Sequence, residues 1–271
     1  MSVIACSQEW GSGGDRIARA AAEALGYRFA DREIILETAH TYGVAEADLA
    51  TVDETKPRFL ERLQLERQRY LVFIEATVLS LAAADRVVIL GRGGYVLLRE
   101  VRHAVRVRFH APFAVRTERV AAWAASDAKT AGDLVRRNDR ERAARMRYLF
   151  EVDWRDPLLY DLALNTDRLD ERTAVDLIVR TVAQPEYAPT PDSCRVVADL
   201  ALAAQVRAAL AADRGIGWTS LQVTAREGTV KVGGAVRTDD QRRRVLDVAR
   251  GIAGVREVQE DLGILPPIPW G

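Results

Sequence analysis

A glycine-rich loop near the start of the chain has the residue types that bind phosphate. Three of the four residues in Gly11-Ser12-Gly13-Gly14 are glycine, and an alanine-rich helical pattern follows directly. Glycines let a backbone approach an anion closely, and the unpaired N–H groups of a first helical turn point at it. The stretch therefore predicts an anion site, with a tight strand–helix turn that binds nothing as the alternative.

This loop departs from the phosphate-loop consensus G-x-x-x-x-G-K-[ST]. In the register of the following helix, Gly14 stands where the consensus has lysine, and Asp15 stands where it has the Mg²⁺-binding hydroxyl. Arg16 is the nearby cation, and we expect it either to contact phosphate or to be an exposed residue of the first turn. Asp15 is expected to cap the helix or to face Mg²⁺ through water.

Two more groups of residues follow predicted strands. Asp31 and Arg32 come after the short run 27–30, and Gly91-Arg92-Gly93-Gly94 follows the apolar run 87–90. Ligands of parallel α/β sheets bind at the carboxyl ends of the strands, so we expect these residues to share one crevice with the glycine-rich loop. Arg92 is expected to bind a ligand or to form a structural ion pair. Asp31 is expected to line the site or to cap the next helix.

A further source of positive charge is an arginine-dense segment between residues 136 and 147. Helical spacing gives it two edges, one with Arg137, Arg140 and Arg147 and the other with Arg142 and Arg145. Arginines placed in this way clamp phosphates through paired hydrogen bonds. The alternative is a solvated helix in which the carboxylates of the segment itself pair with the arginines.

The order of predicted elements indicates the fold class and the domains. Strands predicted at 3–6, 27–30, 87–90, 105–110 and 162–165 alternate with helices, which is typical of a parallel α/β sheet covered on both faces. Three prolines between 184 and 194 predict a linker, and an α-β-β-α-β pattern follows it. The predicted domains are residues 1–182, a linker at 183–195, a small domain at 196–264 and a tail at 265–271.

Composition limits the classes of function. Lys plus Arg and Asp plus Glu balance at 39 each, which gives no general basis for binding nucleic acid or an anionic membrane. No apolar run approaches about 18–20 residues, so we expect a cytoplasmic protein without a transmembrane segment. Cys6 and Cys194 are interpreted as a buried thiol and an incidental loop thiol. The histidines are scattered, so no metal-ligating side chains are predicted.

The first 182 residues resemble the cytidylate kinase-like family. The resemblance rests on residues 7–17 (SQEWGSGGDRI), 31–35 (DREII), 88–93 (VILGRG) and 160–166 (YDLALNT). Members are P-loop relatives of nucleoside-monophosphate kinases, and this subgroup lacks the lysine that true cytidylate kinases carry. The resemblance implies a five-stranded parallel sheet, an arginine-bearing lid, and phosphoryl transfer from ATP with Mg²⁺ to a nucleoside monophosphate such as CMP or dCMP.

Phosphoryl transfer needs positioning and positive charge more than covalent chemistry, so the resemblance implies roles for the residues above. The predicted donor-binding residues are Gly11, Ser12, Gly13, Gly14, Asp15 and Arg16. The predicted catalytic arginines are Arg16, Arg92, Arg140 and Arg145. The predicted substrate-binding residues are Asp31, Arg32, Arg92 and Arg137.

Residues 196–264 resemble a BON domain, on the segments 199–210, 228–236 and 249–258. BON domains are small α/β modules associated with phospholipid or other ligand binding. This implies a regulatory or oligomerising module that takes a small ligand, an ion or a lipid, in which Gly228 and Gly233-Gly234 are interpreted as turn and bulge glycines. The leading prediction is a nucleoside-monophosphate kinase with this module appended. The alternatives are a catalytically weak nucleotide sensor that signals through the BON domain, and a BON protein with the α/β domain as scaffold.

Overall fold

The computed structural model describes residues 2–31, 60–213, 215–216 and 221–265, and within 60–70 only the backbone. The chain divides into two compact units, one of Met1–Ile34 with Ala84–Ser193 and the other of Ile35–Ala83 with Cys194–Gly271. The predicted limits at 182, 195 and 264 stay predictions. Within the described ranges, no helix is both long and apolar enough to cross a membrane.

The helices and strands of both units are named here in chain order. They are β1 (Val3–Gln8), α1 (Gly14–Leu25), β2 (Arg28–Ala30), α2 (Leu60–Ala83), β3 (Val87–Leu90), α3 (Gly94–Leu97), β4 (Ala104–His110), α4 (Phe113–Ala124), α5 (Ala128–Phe150), β5 (Leu162–Asn165), α6 (Glu171–Val182), α7 (Pro191–Ala212), β6 (Gln222–Arg226), β7 (Thr229–Val236), α8 (Asp239–Arg250) and β8 (Glu257–Ile264). Helix α2 lies in the second unit, although the strands on either side of it in the chain lie in the first.

The first unit is built on a five-stranded sheet in the order β2-β3-β1-β4-β5, and every neighbouring pair is parallel. Cys6 of β1 pairs with Leu90 of β3 and Val107 of β4, so the carboxyl ends of the three central strands lie side by side. This confirms the predicted parallel α/β sheet. The loops that follow these strands therefore share one edge.

Alternation along the central strands explains how both faces of this sheet are covered. Ile4 and Val88 pack into the core that α1 and α6 close from one side. On the other side, the backbone of α3 approaches Ile89 and Ala5, and a Cβ on Gly94 would lie 3.3 Å and 3.8 Å from them. Strands with both faces buried are continuous apolar runs, which is why 87–90 was predictable from sequence.

Helix α1 follows the glycine-rich loop because its small side chains fit one buried face. Ile17, Ala18, Ala21 and Ala22 are buried along it. Gly26 ends the helix in a left-handed conformation (φ 64°), and its N–H donates to the carbonyls of the last turn. Both the buried face and the terminal glycine confirm the prediction from sequence.

Helix α5 contains the whole arginine-dense segment in 23 continuous residues. Asp127 caps its start, since its side chain accepts from the backbone N–H groups of Lys129 and Thr130. Glu151 ends it in a left-handed conformation. Because α5 is unbroken, its arginines keep the fixed angular spacing of one helix.

The second unit contains a three-stranded sheet in the order β6-β7-β8, in which β6 and β7 are antiparallel and β7 and β8 are parallel. Val223, Val230 and Val232 face a core that also contains Val245 and Ala249 of α8. The element order from α7 to β8 confirms the predicted α-β-β-α-β pattern.

Three details of this second unit correct the expectations from sequence. Helix α7 starts at Pro191 and not at residue 196, because proline suits a first helical turn and the Thr190 side chain accepts from the N–H of Ser193. Cys194 is consequently an exposed residue of α7, not of a loop. Gly233 and Gly234 continue β7 in unbroken register with β8, so they form neither a turn nor a bulge.

Candidate functional site

The glycine-rich loop connects β1 to α1 through two residues in left-handed conformation. Gly11 has φ 81° and Gly13 has φ 74°, values that side chains rarely adopt. The N–H of Ser12 donates to the carbonyl of Glu9 at 3.0 Å and closes a tight turn. Gly13 is the N-cap of α1, and it has no side chain of its own to cap the helix. Asp15 therefore lies inside the first turn rather than at the cap. Its negative charge interacts favourably with the positive end of the helix dipole.

Gly14, at the position of the consensus lysine, is packed against β4. A Cβ on Gly14 would lie 2.6 Å from the ring of Phe109, far inside van der Waals contact. A Cβ on Gly11 would likewise lie 2.8 Å from the carbonyl oxygen of Arg116 in α4. The missing lysine is therefore a requirement of packing in this chain, because the helix start sits directly on Phe109.

Gln8 and Arg16 occupy the two sides of the loop. The side-chain oxygen of Gln8 accepts from the N–H of Asp15 at 2.8 Å, so this side chain occupies one of the amides at the start of α1. The guanidinium of Arg16 lies near Gly13, where a Cβ would be 3.7 Å from its Nη2, and its Nε is 3.7 Å from a carboxylate oxygen of Glu171. Arg16 is therefore both exposed and next to the loop, which is compatible with either expectation.

The carbonyl of Ser12 fixes the loop to two other elements. Thr166, directly after β5, donates its hydroxyl to this oxygen at 2.6 Å, and Arg119 of α4 donates Nη1 to it at 3.1 Å. Arg119 also bonds to the hydroxyl and the carbonyl of Thr166, at 3.1 and 2.8 Å. Two separate segments thus set the position of the loop backbone.

The carboxylate of Glu9 lies at the centre of a buried network of charges. Arg108 Nη2 donates to Glu9 at 2.9 Å, and Arg116 Nε lies 3.2 Å from its other oxygen. Arg116 also donates two hydrogen bonds, of 3.0 and 2.9 Å, to Asp139 of α5. The side chains of Arg116, Glu9 and Asp139 are only 6%, 12% and 11% exposed. One arginine therefore joins the loop to α5.

Arg92 stands in a turn that the neighbouring glycines make possible. Gly91, Arg92 and Gly93 have φ values of 89°, 51° and 71°, so three consecutive residues are left-handed. The N–H of Gly91 donates to the carbonyl of Cys6 at 2.9 Å, which places the turn at the carboxyl end of β1. A Cβ on Gly93 would lie 2.3 Å from the ring of Phe150. Arg92 is thus held beside the loop at a conformational cost of about 1–3 kcal/mol.

Helix α5 presents its arginines to two environments. Arg142 donates Nη1 to the carbonyl of Gln8, at the end of β1, and lies 5.5 Å from the ring of Trp154. Burial, and next the charge of Arg145, lower the pKa of Arg142. Arg137 and Arg140 are exposed, and Arg137 pairs with Glu141 at 3.9 Å. The structure therefore brings Arg142 to the end of β1 and leaves Arg137 and Arg140 in solvent, while the predicted roles of Arg137, Arg140 and Arg145 stay predictions.

Of the two predicted acceptor-side residues after β2, one lies within the described part of the chain and one lies outside it. Asp31 lies just past this strand, and its carboxylate is 3.4 Å from Arg19 of α1. Arg19 stacks 4.3 Å from the ring of Phe29. Arg32 lies outside the described residues. Asp31 thus takes part in an ion pair, and substrate binding by Asp31 and Arg32 stays a prediction.

The donor groups present suit a phosphate anion better than a metal held by protein alone. The glycines leave this stretch of backbone without Cβ atoms, and the guanidiniums of Arg16, Arg119 and Arg142 lie at the loop or at the end of β1. In the described part of the chain, no three His, Cys, Asp or Glu side chains cluster as a metal site. Mg²⁺ is usually bound through one or two carboxylates plus substrate phosphates, so this donor set fits Mg²⁺ brought in with ATP.

Several of these contacts were not anticipated from sequence. Glu9, Arg116 and Arg119 received no role, because their partners are distant along the chain. Thr166 could have been predicted as a site residue from sequence, because it follows strand β5 just as the turn with Arg92 follows strand β3. The rule that ligands gather at the carboxyl ends of parallel strands applies equally to both positions.

Comparison with known proteins agrees with this geometry. The model of the cytidylate kinase-like family matches residues 3–168, and that of the BON domain matches residues 198–266. A protein of Natronomonas pharaonis named cytidylate kinase is 28% identical over 197 residues, which cover 70% of this chain and 93% of the relative.

One solved structure shows the same fold, and a second is less similar. An uncharacterized protein from Eubacterium ventriosum gives a TM-score of 0.54 at 21% identity, and the match covers 67% of this chain and 98% of the other. A gluconokinase from Sinorhizobium meliloti gives 0.43 at 18% identity, with 67% and 93% covered. The family match includes the glycine-rich loop, the turn with Arg92 and α5, and it suggests nucleotide phosphotransfer. With more than half of its length matched, the chain belongs to the cytidylate kinase-like family and carries a BON domain in its C-terminal part.

Proposed function

We propose that the protein transfers the terminal phosphoryl group of ATP to a nucleoside monophosphate, with CMP or dCMP as the preferred acceptor. The observation that carries the proposal is the turn at the end of β3. There a left-handed arginine between two glycines is held beside the glycine-rich loop. Strained, charged residues of this kind persist where function requires them. The name of the Natronomonas relative, cytidylate kinase, supports the choice of acceptor.

The loop at Gly11–Arg16 would hold the donor phosphates through its backbone, with Arg16 beside it in place of the lysine. Mg²⁺, brought in with ATP, would neutralise part of the phosphate charge, and Asp15 would face it through water. An oxygen of the acceptor phosphate then forms a bond to the γ-phosphorus while the bond to the β–γ bridging oxygen breaks, and ADP leaves.

The remaining residues would supply positive charge and orientation. Arg92 would bind the acceptor phosphate, with Asp31, Arg32 and Arg137 on the acceptor side. Arg140 and Arg145 would act from α5, and Arg142 would keep that helix on the end of β1 through the carbonyl of Gln8. A guanidinium presents two parallel N–H donors to a phosphate, which suits it to hold the charge that spreads over the phosphoryl oxygens.

A coupled assay of ADP release over a panel of nucleoside monophosphates tests this proposal. We expect turnover with CMP or dCMP, and Arg92→Ala should lower kcat/KM by about 10²- to 10³-fold, as the loss of one preorganised donor does. Arg92→Lys should recover only part, because lysine keeps the charge but not the two parallel N–H donors.

Arg99→Ala is the matched control, since the Arg99 side chain is 63% exposed and its contact is a 3.8 Å pair with neighbouring Glu100. It should retain full turnover. If none of the acceptors in the panel is turned over, the kinase proposal is contradicted. Equal losses in Arg92→Ala and Arg99→Ala would contradict the role given to Arg92.

A second candidate function, a nucleotide sensor with little or no catalysis, is favoured by two contacts in the loop. Gln8 occupies the N–H of Asp15, and Phe109 leaves no space for a lysine at position 14. In either case the BON module would be a regulatory or ligand-binding part that takes a small ligand, an ion or a lipid. Micromolar ATP binding by calorimetry without ADP release would favour the sensor.

A further inference from the structure

Helix α2 is covered on every side along its second half. Residues at eight positions from 73 to 82 are buried, and they include Phe73, Ile74, Ala76, Thr77, Val78, Leu79, Leu81 and Ala82. Consecutive helical residues are about 100° apart, so burial at so many neighbouring positions leaves no solvent face. An enclosed helix of this kind transmits displacement, because packed interiors do not deform continuously.

Polar contacts join this enclosed helix to α7, the first helix of the C-terminal module. Arg207 of α7 donates Nη2 to the carboxylate of Glu75 at 2.9 Å, and Gln205 donates its side-chain NH₂ to the hydroxyl of Ser80 at 2.9 Å. The side chains of Arg207 and Glu75 are 29% and 24% exposed. A half-buried, hydrogen-bonded pair is screened less by salt than an exposed one.

The same helix continues into the strand that carries Arg92. After α2 ends at Ala83, only residues 84–86 separate it from β3, and Asp85 and Arg86 have φ values of 61° and 51°. Left-handed residues other than glycine persist where the surroundings over-determine them. The carbonyl of Arg86 also accepts from the N–H of Arg28 at 2.8 Å, which ties the connection to β2. Four residues of β3 then lead to Gly91 and Arg92.

We propose that α2 is the element through which the C-terminal module acts on the acceptor side of the kinase unit, with the Glu75–Arg207 pair as its link. The inference rests on the proposed function for the identity of the site. A change that moves α7 pulls on α2 at Glu75. Helix α2 passes the displacement through residues 84–86 and β3 to the turn that orients Arg92. The donor loop follows β1, which this route reaches only through the pairing of β1 with β3 and the Gly91–Cys6 hydrogen bond, so donor binding should change less than acceptor binding.

Steady-state kinetics of the full chain tests the link. Glu75→Gln and Arg207→Gln should each raise the KM for CMP by about 2- to 30-fold, the range seen for residues that modulate coupling, with a smaller change in the KM for ATP. The double variant should be no worse than either single variant, because both remove the same contact. Unchanged KM for CMP in both single variants, or equal changes in the KM for CMP and for ATP, would overturn the inference.

Hydrogen exchange of the ligand-free protein tests the same route without any turnover. Arg207→Gln should speed amide exchange by about 2- to 30-fold in residues 87–97, which include β3, the Arg92 turn and α3. Changes confined to residues 60–83 and 191–212 would show local loosening alone and would sink the inference. Asp261→Asn is the control, since it removes a 2.9 Å pair with Lys231 in which both side chains are more than half exposed.

The two measurements separate the two proposals. If the protein without substitutions shows no turnover, but Arg207→Gln speeds exchange at 87–97, the kinase proposal fails and the link through α2 stands. If the protein turns over CMP normally, but Arg207→Gln changes neither exchange nor KM, the kinase proposal stands and the link fails.

Discussion

The two sheets of this protein use charge in opposite ways. At the carboxyl edge of the five-stranded sheet, arginines and carboxylates are buried together, and Arg116 with its partners Glu9 and Asp139 is at most 12% exposed. On the three-stranded sheet the charges lie on the surface, as in the Lys231–Asp261 pair, whose side chains are 55% and 66% exposed. Both sheets are covered by helices and have apolar cores. Among the described residues, the difference is one of degree: the ion pairs of Arg116 are almost out of water, whereas the Lys231–Asp261 pair is mostly in it.

That difference indicates where the fold is constrained by more than packing. A buried charge must be paired and hydrogen-bonded, so each member of such a network holds the others in one geometry. An exposed pair contributes little and can be lost without consequence. The buried network therefore marks the region whose geometry has to be maintained, and it surrounds the glycine-rich loop.

The largest effect on the contrast between the two sheets is expected from replacing Arg116. Arg116→Gln leaves the buried carboxylate of Asp139 without its bidentate partner, and we expect a loss of about 3–5 kcal/mol in the free energy of unfolding. Urea unfolding followed by tryptophan fluorescence measures it. Arg136→Gln, on the same helix and in a 3.1 Å pair with Asp133 that is more than half exposed, is the control and should cost about 0–1 kcal/mol. Similar losses in the two variants would refute the contrast.

The next effect concerns the glycine in the lysine position. Gly14→Ala drives a methyl group into the ring of Phe109, and overpacking of this kind should cost about 1–3 kcal/mol. Gly132→Ala in α5 is the matched control, because its Cβ would meet its neighbours at ordinary distances of 3.5–3.6 Å. It should be neutral or stabilising by up to about 1 kcal/mol. Differential scanning fluorimetry compares the two, and a stable Gly14→Ala would show that Phe109 yields.

A smaller effect depends on pH. His103 is buried and hydrogen-bonded through Nδ1 to Ser193 at 2.8 Å, and burial lowers its pKa below 6.5, with the charge of Asp85 offsetting part of the shift. The unfolded chain then binds the proton more tightly. Stability is therefore full above pH 6.5 and falls as the pH drops toward the folded-state pKa, with a slope of at most about 1.4 kcal/mol per pH unit. In His103→Asn, the melting temperature should depend less on pH between pH 5 and 6.5 than it does in the unchanged protein. An unaltered slope would show that other groups cause it.

The smallest effect is expected on the second sheet. Asp261→Asn removes the exposed pair with Lys231, which lowers the pKa of Asp261, and the melting temperature should not change measurably at physiological salt. Added salt should change the melting temperatures of the variant and of the unchanged protein by the same amount. A clear destabilisation would mean that this sheet also depends on its charges, and the contrast between the units would fail.

Regular structure was predictable where sequence periodicity and burial coincide. Strands β3 and β5 have the predicted bounds, because each is a short apolar run flanked by glycine or polar residues. The end of α1 was predictable from Gly26, which a left-handed cap requires. The resemblance added the family, and the strand-end rule indicated which edge would hold the site.

The side-chain partners within that edge were not predictable. Glu9 and Arg116 are 107 positions apart, and no local pattern shows that a loop carboxylate and a helical arginine will meet. Helical spacing separated the arginines of α5 into two edges, but only the packing of the helix decides which edge meets β1. The reason for Gly14 also depends on Phe109, a residue of another strand.

The position of Asp139 along α5 has a mechanical consequence. The helix is about 35 Å long, and the residue that Arg116 grips lies almost at its midpoint. Arg142, on the carbonyl of Gln8, and Phe150, packed beside Gly93, hold the second half of the same helix. A rod that is attached at its middle and again toward one end keeps its direction. Nucleotide binding should therefore leave α5 at a fixed angle to the sheet, and spin labels at its two ends should report no distance changes of opposite sign. Such changes would mean that the contacts of Arg142 and Phe150 break when nucleotide binds.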